Sequence, residues 1–137
     1  MNSLDTKKEI KKFSLLKRAQ SFKHAVRGIA LFVKTTHNAW IQICVMICAI
    51  ALGIYFGISR LDWVALILVI GLVFITEAIN TAIEIDIDLT SPTYHPYARD
   101  TKDVAAGAVL IASIISVIVS LLVFIPYVKA CLSGLYY

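Results

Sequence analysis

Polar and apolar residues form long blocks along this 137-residue chain, and the blocks predict helices rather than strands. Residues 39–58 carry no charged side chain, and further apolar stretches cover residues 63–87 and 104–128. About 20 apolar residues suffice for a helix to cross the hydrocarbon core of a bilayer. The pattern therefore predicts three transmembrane helices, with a very short connection at residues 59–62 and a polar loop at residues 89–103.

The segment before the first span has a different pattern. Residues 1–14 are polar and predict a tail, whereas residues 15–36 predict a basic amphipathic helix. Its apolar stripe consists of Leu15, Ala19, Phe22, Val26, Ile29 and Val33. A basic amphipathic helix next to a span is typical of an element lying on an anionic membrane surface. The other interpretation is a solvated helix that packs on its own protein.

Composition supports a membrane protein. Hydrophobic residues make up 59% of the chain and its mean hydropathy is +0.81. These values predict an all-α integral membrane protein in which residues 1–137 form a single membrane domain. Three spanning helices are too few to enclose a site easily, so we expect an oligomer. The chain contains neither a GxxxxGK[ST] nor a GxGxxG motif, which leaves the common soluble nucleotide sites unsupported.

The distribution of lysine and arginine predicts the orientation. Most of these residues precede the first span, and Arg99 and Lys102 lie in the predicted second loop, whereas the first loop offers only Arg60. The positive-inside rule then places the N-terminus and the second loop in the cytoplasm, in a multi-pass protein of the cell membrane. Membrane topology explains the basic balance better than nucleic-acid binding does, and we expect no nucleic-acid partner.

Acidic and amide side chains form a ladder along the second predicted span. At about 100° per residue, the ladder occupies one helix face roughly 100° wide. A charged side chain at the bilayer centre costs about 2.5–3.5 kcal/mol even on insertion scales, so such residues favour a functional site. Asp86 lies about 180° from the ladder, and its role stays open. The ladder consists of Glu77, Asn80, Thr81, Glu84 and Asp88.

These residue types fit phosphoryl transfer. That reaction needs a divalent metal between phosphate oxygens, a cation for the phosphates and a group that positions or deprotonates the attacking hydroxyl. Magnesium is usually held by one or two carboxylates plus phosphates, which suits Glu84, while the deeper Glu77 suits a hydroxyl presented from the bilayer. Lys102 can meet a phosphate, although Lys102 and Asp103 also fit an ordinary charged helix entrance. A small ion or proton pathway is a second interpretation, because acids within membranes often mark one.

Several motifs resemble a known family. They are EAINTAIE at residues 77–84 followed by Asp88, YHP at residues 94–96, KDVAAGAV at residues 102–109, and SFKHAVRGI at residues 21–29. Together they resemble the prokaryotic integral-membrane lipid kinases, the diacylglycerol kinase and undecaprenol kinase family. The His-Pro and Ala-Ala-Gly-Ala-Val versions look more like the undecaprenol kinase branch.

The resemblance implies a homotrimer that transfers the γ-phosphate of ATP to a lipid alcohol at the cytoplasmic face. It implies Glu77 as catalytic base, Asn80, Thr81 and Asp88 as supporting groups, and Glu84 as a Mg²⁺ ligand. The residues it places near the nucleotide are Lys17, His24, Glu84, Tyr94, His95, Lys102 and Asp103.

One position departs from the family pattern. The family usually carries a metal-binding glutamate two residues before an asparagine at the end of the surface helix, whereas here Thr36 precedes Asn38. A threonine hydroxyl can ligate magnesium but brings no negative charge. Gln42 likewise replaces a usual Glu or His. Thr36 is therefore a weaker candidate ligand, and a non-catalytic family member is a third interpretation.

Overall fold

Four helices make up the part of the chain that the structure, a computed structural model, describes. It describes the backbone of residues 15–134 and side chains from residue 18 onward, so the predicted tail at residues 1–14 and the Lys17 side chain lie outside it. The helices are α1 (Leu15–Thr35), α2 (His37–Tyr55), α3 (Arg60–Thr90) and α4 (Pro96–Leu132). The last three are long and apolar enough to cross a membrane.

Helix α1 exposes much of its apolar stripe over the residues whose side chains are described. Phe22 is 73% exposed and Ile29 is 65% exposed, so these side chains find no packing partner within the described chain. Phe32, near the end of α1, is buried. An unpacked apolar stripe on a basic helix fits an element that rests on a membrane surface better than one that packs on its own protein.

Helices α2 and α3 are joined by a tight turn. Gly57 has a φ of 55°, a left-handed conformation that glycine adopts without the strain other residues incur. Ser59 then caps α3: its hydroxyl accepts from the Asp62 backbone N–H while the Asp62 carboxylate accepts from the Ser59 backbone N–H. On α2, Gly53 faces Trp63, and a Cβ at Gly53 would lie 2.8 Å from the indole ring. The two helices approach closely because this position carries no side chain.

Helices α3 and α4 run antiparallel and form the main packing interface. At one end of the pair, Ile58, Leu66 and Val123 form the buried apolar cluster. The Tyr127 hydroxyl donates to the Asp62 carboxylate over 2.7 Å at the same end. At the other end of the pair, Lys102 on α4 forms an ion pair with Asp88 on α3.

The connection between α3 and α4 corrects the prediction of a loop over residues 89–103. Helix α3 continues to Thr90, and α4 begins at Pro96 rather than near Val104. Proline is favoured at the first position of a helix, because its missing N–H would have no partner there. Charged residues in the first turns of α4 lie in an exposed helix, where Arg99 and Asp103 are spaced for an i,i+4 ion pair. The polar residues therefore indicate where the apolar part of each helix ends, and both helices continue beyond that point.

The other end of α4 also differs from the prediction. The last predicted span covers residues 104–128, yet α4 includes Pro126 and continues to Leu132. Lys129 remains in its last turn, where a cation interacts favourably with the helix dipole. A proline inside a membrane helix is tolerated because neighbouring groups can satisfy the backbone it leaves unpaired.

Candidate active site

An acidic cavity of about 340 Å³ lies between the α1–α2 junction and the polar face of α3. All five members of the sequence-predicted ladder line it, because the 100° advance per residue brings them onto one face. The α1–α2 junction contributes the opposite wall. The complete lining is Thr35, Thr36, His37, Asn38, Glu77, Asn80, Thr81, Glu84, Ile85 and Asp88.

Glu77 is the most deeply buried polar residue described. Its side chain is 1% exposed, and its Oε2 atom is buried without a hydrogen-bond partner. A buried polar atom left unpaired costs about 1–3 kcal/mol, and charged groups cost more. Nothing in the described fold compensates for this cost, so the geometry favours a carboxylate kept for a ligand.

Asn80 and Glu84 form the next layer of the cavity. The Asn80 Nδ2 group donates to Glu84 Oε1 over 2.9 Å and so fixes one carboxylate oxygen. Asn80 itself is 8% exposed, and its Oδ1 atom is buried without a partner. Two neighbouring side chains on α3 thus each carry a buried oxygen that no described group satisfies.

Thr36 and Thr81 connect the two walls. Their hydroxyl oxygens are 2.9 Å apart. The Thr81 hydroxyl donates to the Glu77 backbone carbonyl over 3.0 Å, so Thr36 must donate to Thr81. Thr36 therefore ties the end of α1 to α3, while the lone pairs of its oxygen stay available to a cation.

A second cavity of about 260 Å³ adjoins the first, and Asp88 lines both. Lys102 donates to Asp88 at this boundary, where the ammonium side chain is 35% exposed. The second cavity is formed by the short connection at residues 91–95 and the first turns of α4. Among its lining residues are Tyr94, His95, Arg99 and Lys102.

Not every predicted nucleotide-binding residue reaches these cavities. His24 is exposed on α1, and Asp103 is exposed on α4 at 3.9 Å from Arg99; neither lines the acidic or the adjoining cavity. Tyr94 lines the second cavity but is 76% exposed. Asp86 is exposed and lines neither cavity.

Sequence reasoning did not select some of the lining residues. Thr35, His37 and Asn38 line the acidic cavity, and Arg99 lines the adjoining one. The unbroken polar run from residue 35 to residue 38, placed between an amphipathic helix and an apolar one, was the available signal. Its significance depends on which face of α3 it meets, and the sequence does not show that.

The donor set of the cavity is compatible with magnesium bound together with phosphate. Within residues 15–134, no group of three His, Cys, Asp or Glu side chains is arranged to hold a metal ion. Mg²⁺ does not need such a cage, because it is usually held by one or two carboxylates plus substrate phosphates. Glu84 offers the oxygen that Asn80 leaves free, and the Thr36 oxygen lies on the opposite wall.

The fold and the cavity define a class of small polytopic membrane proteins with an acidic site at one end of the spans. The match to a family is specific: the model of the prokaryotic diacylglycerol kinase family matches residues 23–124. The chain belongs to this family and is a lipid kinase.

Relatives within the family carry two substrate names. An undecaprenol kinase from Bacillus subtilis is 36% identical over 92% of this chain and 98% of its own length. A diacylglycerol kinase from Synechocystis is also 36% identical, over 77% of this chain and 61% of the relative. A diacylglycerol kinase from Escherichia coli K12 is 34% identical over 53% of this chain and 60% of the relative.

Proposed function

We propose that this protein transfers the γ-phosphate of ATP to the hydroxyl of a long-chain lipid alcohol, with Glu77 as the general base. The observation that carries the proposal is the buried Glu77 carboxylate, whose Oε2 atom has no partner, in a cavity whose lining residue Asp88 pairs with Lys102. A base must reach the proton that it removes, and a lipid hydroxyl approaches from the bilayer side where Glu77 lies.

Each part of the reaction has a candidate residue. The lipid oxygen attacks the γ-phosphorus, its proton passes to the Glu77 carboxylate, and the bond from the γ-phosphorus to the bridging oxygen breaks to release ADP. Glu84 and Thr36 would hold Mg²⁺, which neutralises charge on the phosphate oxygens. Asn80 orients Glu84, and Lys102 leaves Asp88 to meet the phosphates. The remaining polar groups of the second cavity, Tyr94, His95 and Arg99, contact the nucleotide.

The cavity opens toward the cytoplasm in this proposal. Thr36, which directly follows the basic helix α1, meets Thr81, and Lys102 in the first turns of α4 pairs with Asp88, so both basic segments adjoin the polar part of α3. The positive-inside rule assigns that part to the cytoplasm, where ATP and magnesium are available.

A homotrimer is part of the proposal. The structure leaves long apolar faces of α2, α3 and α4 exposed, and only 11–28% of each candidate span is buried within the chain. Some of this surface faces lipid, but a site formed by one small bundle stays open along one side. Neighbouring copies would close it and supply further groups from His24 or Asp103.

The lipid alcohol is proposed to be a polyprenol such as undecaprenol. The relative that carries the undecaprenol kinase name aligns over 98% of its own length and 92% of this chain, whereas the Synechocystis, Helicobacter pylori and Escherichia coli diacylglycerol kinases align over 60–85% of their own lengths and 53–77% of this chain. Diacylglycerol is the competing substrate.

A lipid panel tests the proposal. Purified protein in mixed micelles is given labelled ATP, Mg²⁺ and either undecaprenol or diacylglycerol at equal mole fraction, and the phosphorylated lipid is quantified. We expect faster turnover of undecaprenol. Faster turnover of diacylglycerol would overturn the substrate assignment, and ATP binding without any product would favour the non-catalytic interpretation. Ion flux in liposomes without ATP would favour the pathway interpretation.

A further inference from the structure

The N-terminus of helix α2 lies at the acidic cavity and has no side-chain cap. Thr36 occupies the N-cap position, but its hydroxyl is committed to Thr81 on α3 and makes no hydrogen bond to the first turn of α2. That turn also contains no acidic side chain. The 19-residue helix therefore presents the positive end of its dipole at the cavity, which residues 35–38 line.

Two backbone donors at this helix end have no acceptor. The first N–H groups of a helix lack partners within the helix and require side chains, water or a ligand. The Ala39 N–H donates to the Thr36 carbonyl over 3.1 Å, whereas the N–H groups of His37 and Asn38 have no hydrogen-bond partner among the described residues. Both residues are exposed and line the acidic cavity, so a soluble ligand can reach them.

The opposite wall of the cavity has acceptors that lack donors. Glu77 is 1% exposed and its Oε2 atom has no partner, and the Oδ1 atom of Asn80 is likewise buried without one. The two walls do not satisfy each other, because among the described residues no hydrogen bond joins these two oxygen atoms to the start of α2. A ligand between the walls must therefore offer acceptors to α2 and a donor or a cation to α3.

A phosphate group accompanied by a cation meets both requirements. Helix N-termini bind phosphate because their N–H groups and their dipole both favour negative charge. In the proposed reaction the γ-phosphate lies next to the hydroxyl that Glu77 deprotonates. Glu77 lines the acidic cavity and not the adjoining one, so the γ-phosphate belongs in the cavity that the start of α2 also lines.

We infer that the N-terminus of α2 binds the γ-phosphate of ATP, with the backbone N–H groups of His37 and Asn38 donating to its oxygen atoms. The inference rests on the proposed function and adds a contact that no side chain supplies. Fixed donors of this kind stabilise charge on the transferring group without rearranging. Threonine at position 36 suits this role, because a carboxylate at the N-cap would itself accept from the first turn.

Proline at position 37 removes one of the two donors and is compatible with the helix. Position 37 is the first residue of α2, where proline is favoured, and Thr36 has the extended backbone (φ −101°, ψ 110°) that suits a residue before proline. The probe is an ATP analogue with a methylene bridge between its β- and γ-phosphates, and calorimetry in detergent micelles with Mg²⁺ measures its binding. His37→Pro should weaken this binding by about tenfold or more, the scale of a charge-assisted hydrogen bond. The binding of ADP, which lacks the γ-phosphate, should stay unchanged.

Two further variants are the controls. His37→Ala removes the imidazole ring but keeps the N–H group, so it should weaken binding of the analogue much less than His37→Pro does. Arg60→Pro places proline at the first position of α3, about 25 Å along that helix from Glu77, and should leave binding of the analogue at the wild-type level. Thermal unfolding shows whether each variant is folded.

A measurement on the wild-type protein covers the case in which His37→Pro does not fold. The chain contains three histidines, so protein labelled with ¹⁵N-histidine gives three backbone amide signals, and the signal lost in His37→Ala belongs to His37. Saturation with the analogue and Mg²⁺ should shift that signal, whereas saturation with ADP should shift it much less.

Four results would overturn the inference. They are unchanged binding of the analogue in folded His37→Pro, equal losses in His37→Pro and His37→Ala, equal losses for the analogue and for ADP, and no shift of the His37 amide signal on saturation. The same measurements separate the inference from the kinase activity. A shift of the His37 signal without any phosphorylated lipid would support the phosphate site and contradict the proposed function, whereas lipid phosphorylation at the wild-type rate in His37→Pro would leave the function standing and contradict the inference.

Discussion

Helix α3 carries one carboxylate at its start and a buried one near its middle, and the two groups have opposite surroundings. At the start of α3, the Asp62 Oδ2 atom accepts from the Ser59 N–H at 3.1 Å, from the Ser59 hydroxyl at 2.7 Å and from the Tyr127 hydroxyl at 2.7 Å. Near the middle of α3, Glu77 is almost completely buried, yet its Oε2 atom has no partner. One helix therefore contains a completed polar cluster and an incomplete one.

The difference separates structure from function. The Asp62 carboxylate accepts three hydrogen bonds and requires no ligand. Because the donors come from the α2–α3 turn and from α4, the cluster holds that turn against the end of α4. A carboxylate buried without donors lowers stability, and such groups mark sites that a ligand completes. The comparison therefore predicts that changes at Asp62 affect folding and that changes at Glu77 affect activity.

The largest effect should come from Glu77→Gln. Loss of the base should lower the rate of phosphate transfer by about 10²–10⁴-fold, the usual contribution of general acid–base catalysis. Thermal stability should hold or rise, because a neutral amide is easier to bury than an unpartnered charge. Initial rates and thermal unfolding in detergent measure the two quantities.

Asp62→Asn is the matched control, since it is the same chemical change on the same helix. It should keep the activity near the wild-type level and lower the unfolding temperature. Full activity in Glu77→Gln, or loss of activity in Asp62→Asn without a change in stability, would contradict the roles assigned to the two carboxylates.

The next effect concerns Lys102→Gln. A charge-assisted hydrogen bond contributes about 1.5–3 kcal/mol, which corresponds to an increase in the KM for ATP of about 10- to 150-fold. The KM for the lipid should change little. Lys129→Gln, near the opposite end of α4, is the control and should leave the KM for ATP unchanged. Equal effects of the two variants would place Lys102 outside the nucleotide site.

Thr36→Glu should sharpen the assignment of the metal site. The new carboxylate would stand on the wall opposite Glu84, so the Mg²⁺ concentration for half-maximal activity should fall several-fold. Thr36→Val removes the hydroxyl but keeps a side chain of similar size, and it should raise the Mg²⁺ concentration for half-maximal activity. Titration of the rate with Mg²⁺ checks both, and a half-maximal concentration that neither variant changes would exclude Thr36 as a ligand.

The smallest effect should come from Tyr127→Phe. It removes the hydroxyl that donates to Asp62 and should cost about 1 kcal/mol of stability with activity retained. Unfolding by denaturant in detergent micelles measures the change. Tyr97→Phe, near the other end of α4, is the control, because the hydroxyl that donates to Asp62 belongs to Tyr127 and not to Tyr97. Equal stability of Tyr127→Phe and the wild type would show that the cluster at Asp62 contributes little.

Much of the fold follows from the sequence because few backbone structures other than a helix can span a membrane. The apolar blocks and the basic amphipathic segment predict the helices, since a bilayer requires every backbone hydrogen bond to be made within the span. The limits of α3 and α4 were less predictable. Polar residues such as Arg99 and Lys102 predict a loop, although an exposed helix accommodates them as easily.

The candidate site was predictable to the extent that it lies on a single helix. Glu77, Glu84 and Asp88 share a face because of helical periodicity alone. The roles of Tyr94, His95 and Lys102 were inferred from the family resemblance, and the structure brings these three residues to the cavity that adjoins the acidic one. Lys17 lies outside the described side chains, and His24 does not reach either cavity.

Local helix geometry sets which residues share a face of α3 whatever the helix packs against, so that relation can be predicted from the chain alone. The packing of the helices, in contrast, is what places Thr36 against Thr81, Tyr127 against Asp62 and Lys102 against Asp88. Those relations join residues distant in the chain or depend on how neighbouring helices pack, and the periodicity of a single helix cannot specify them.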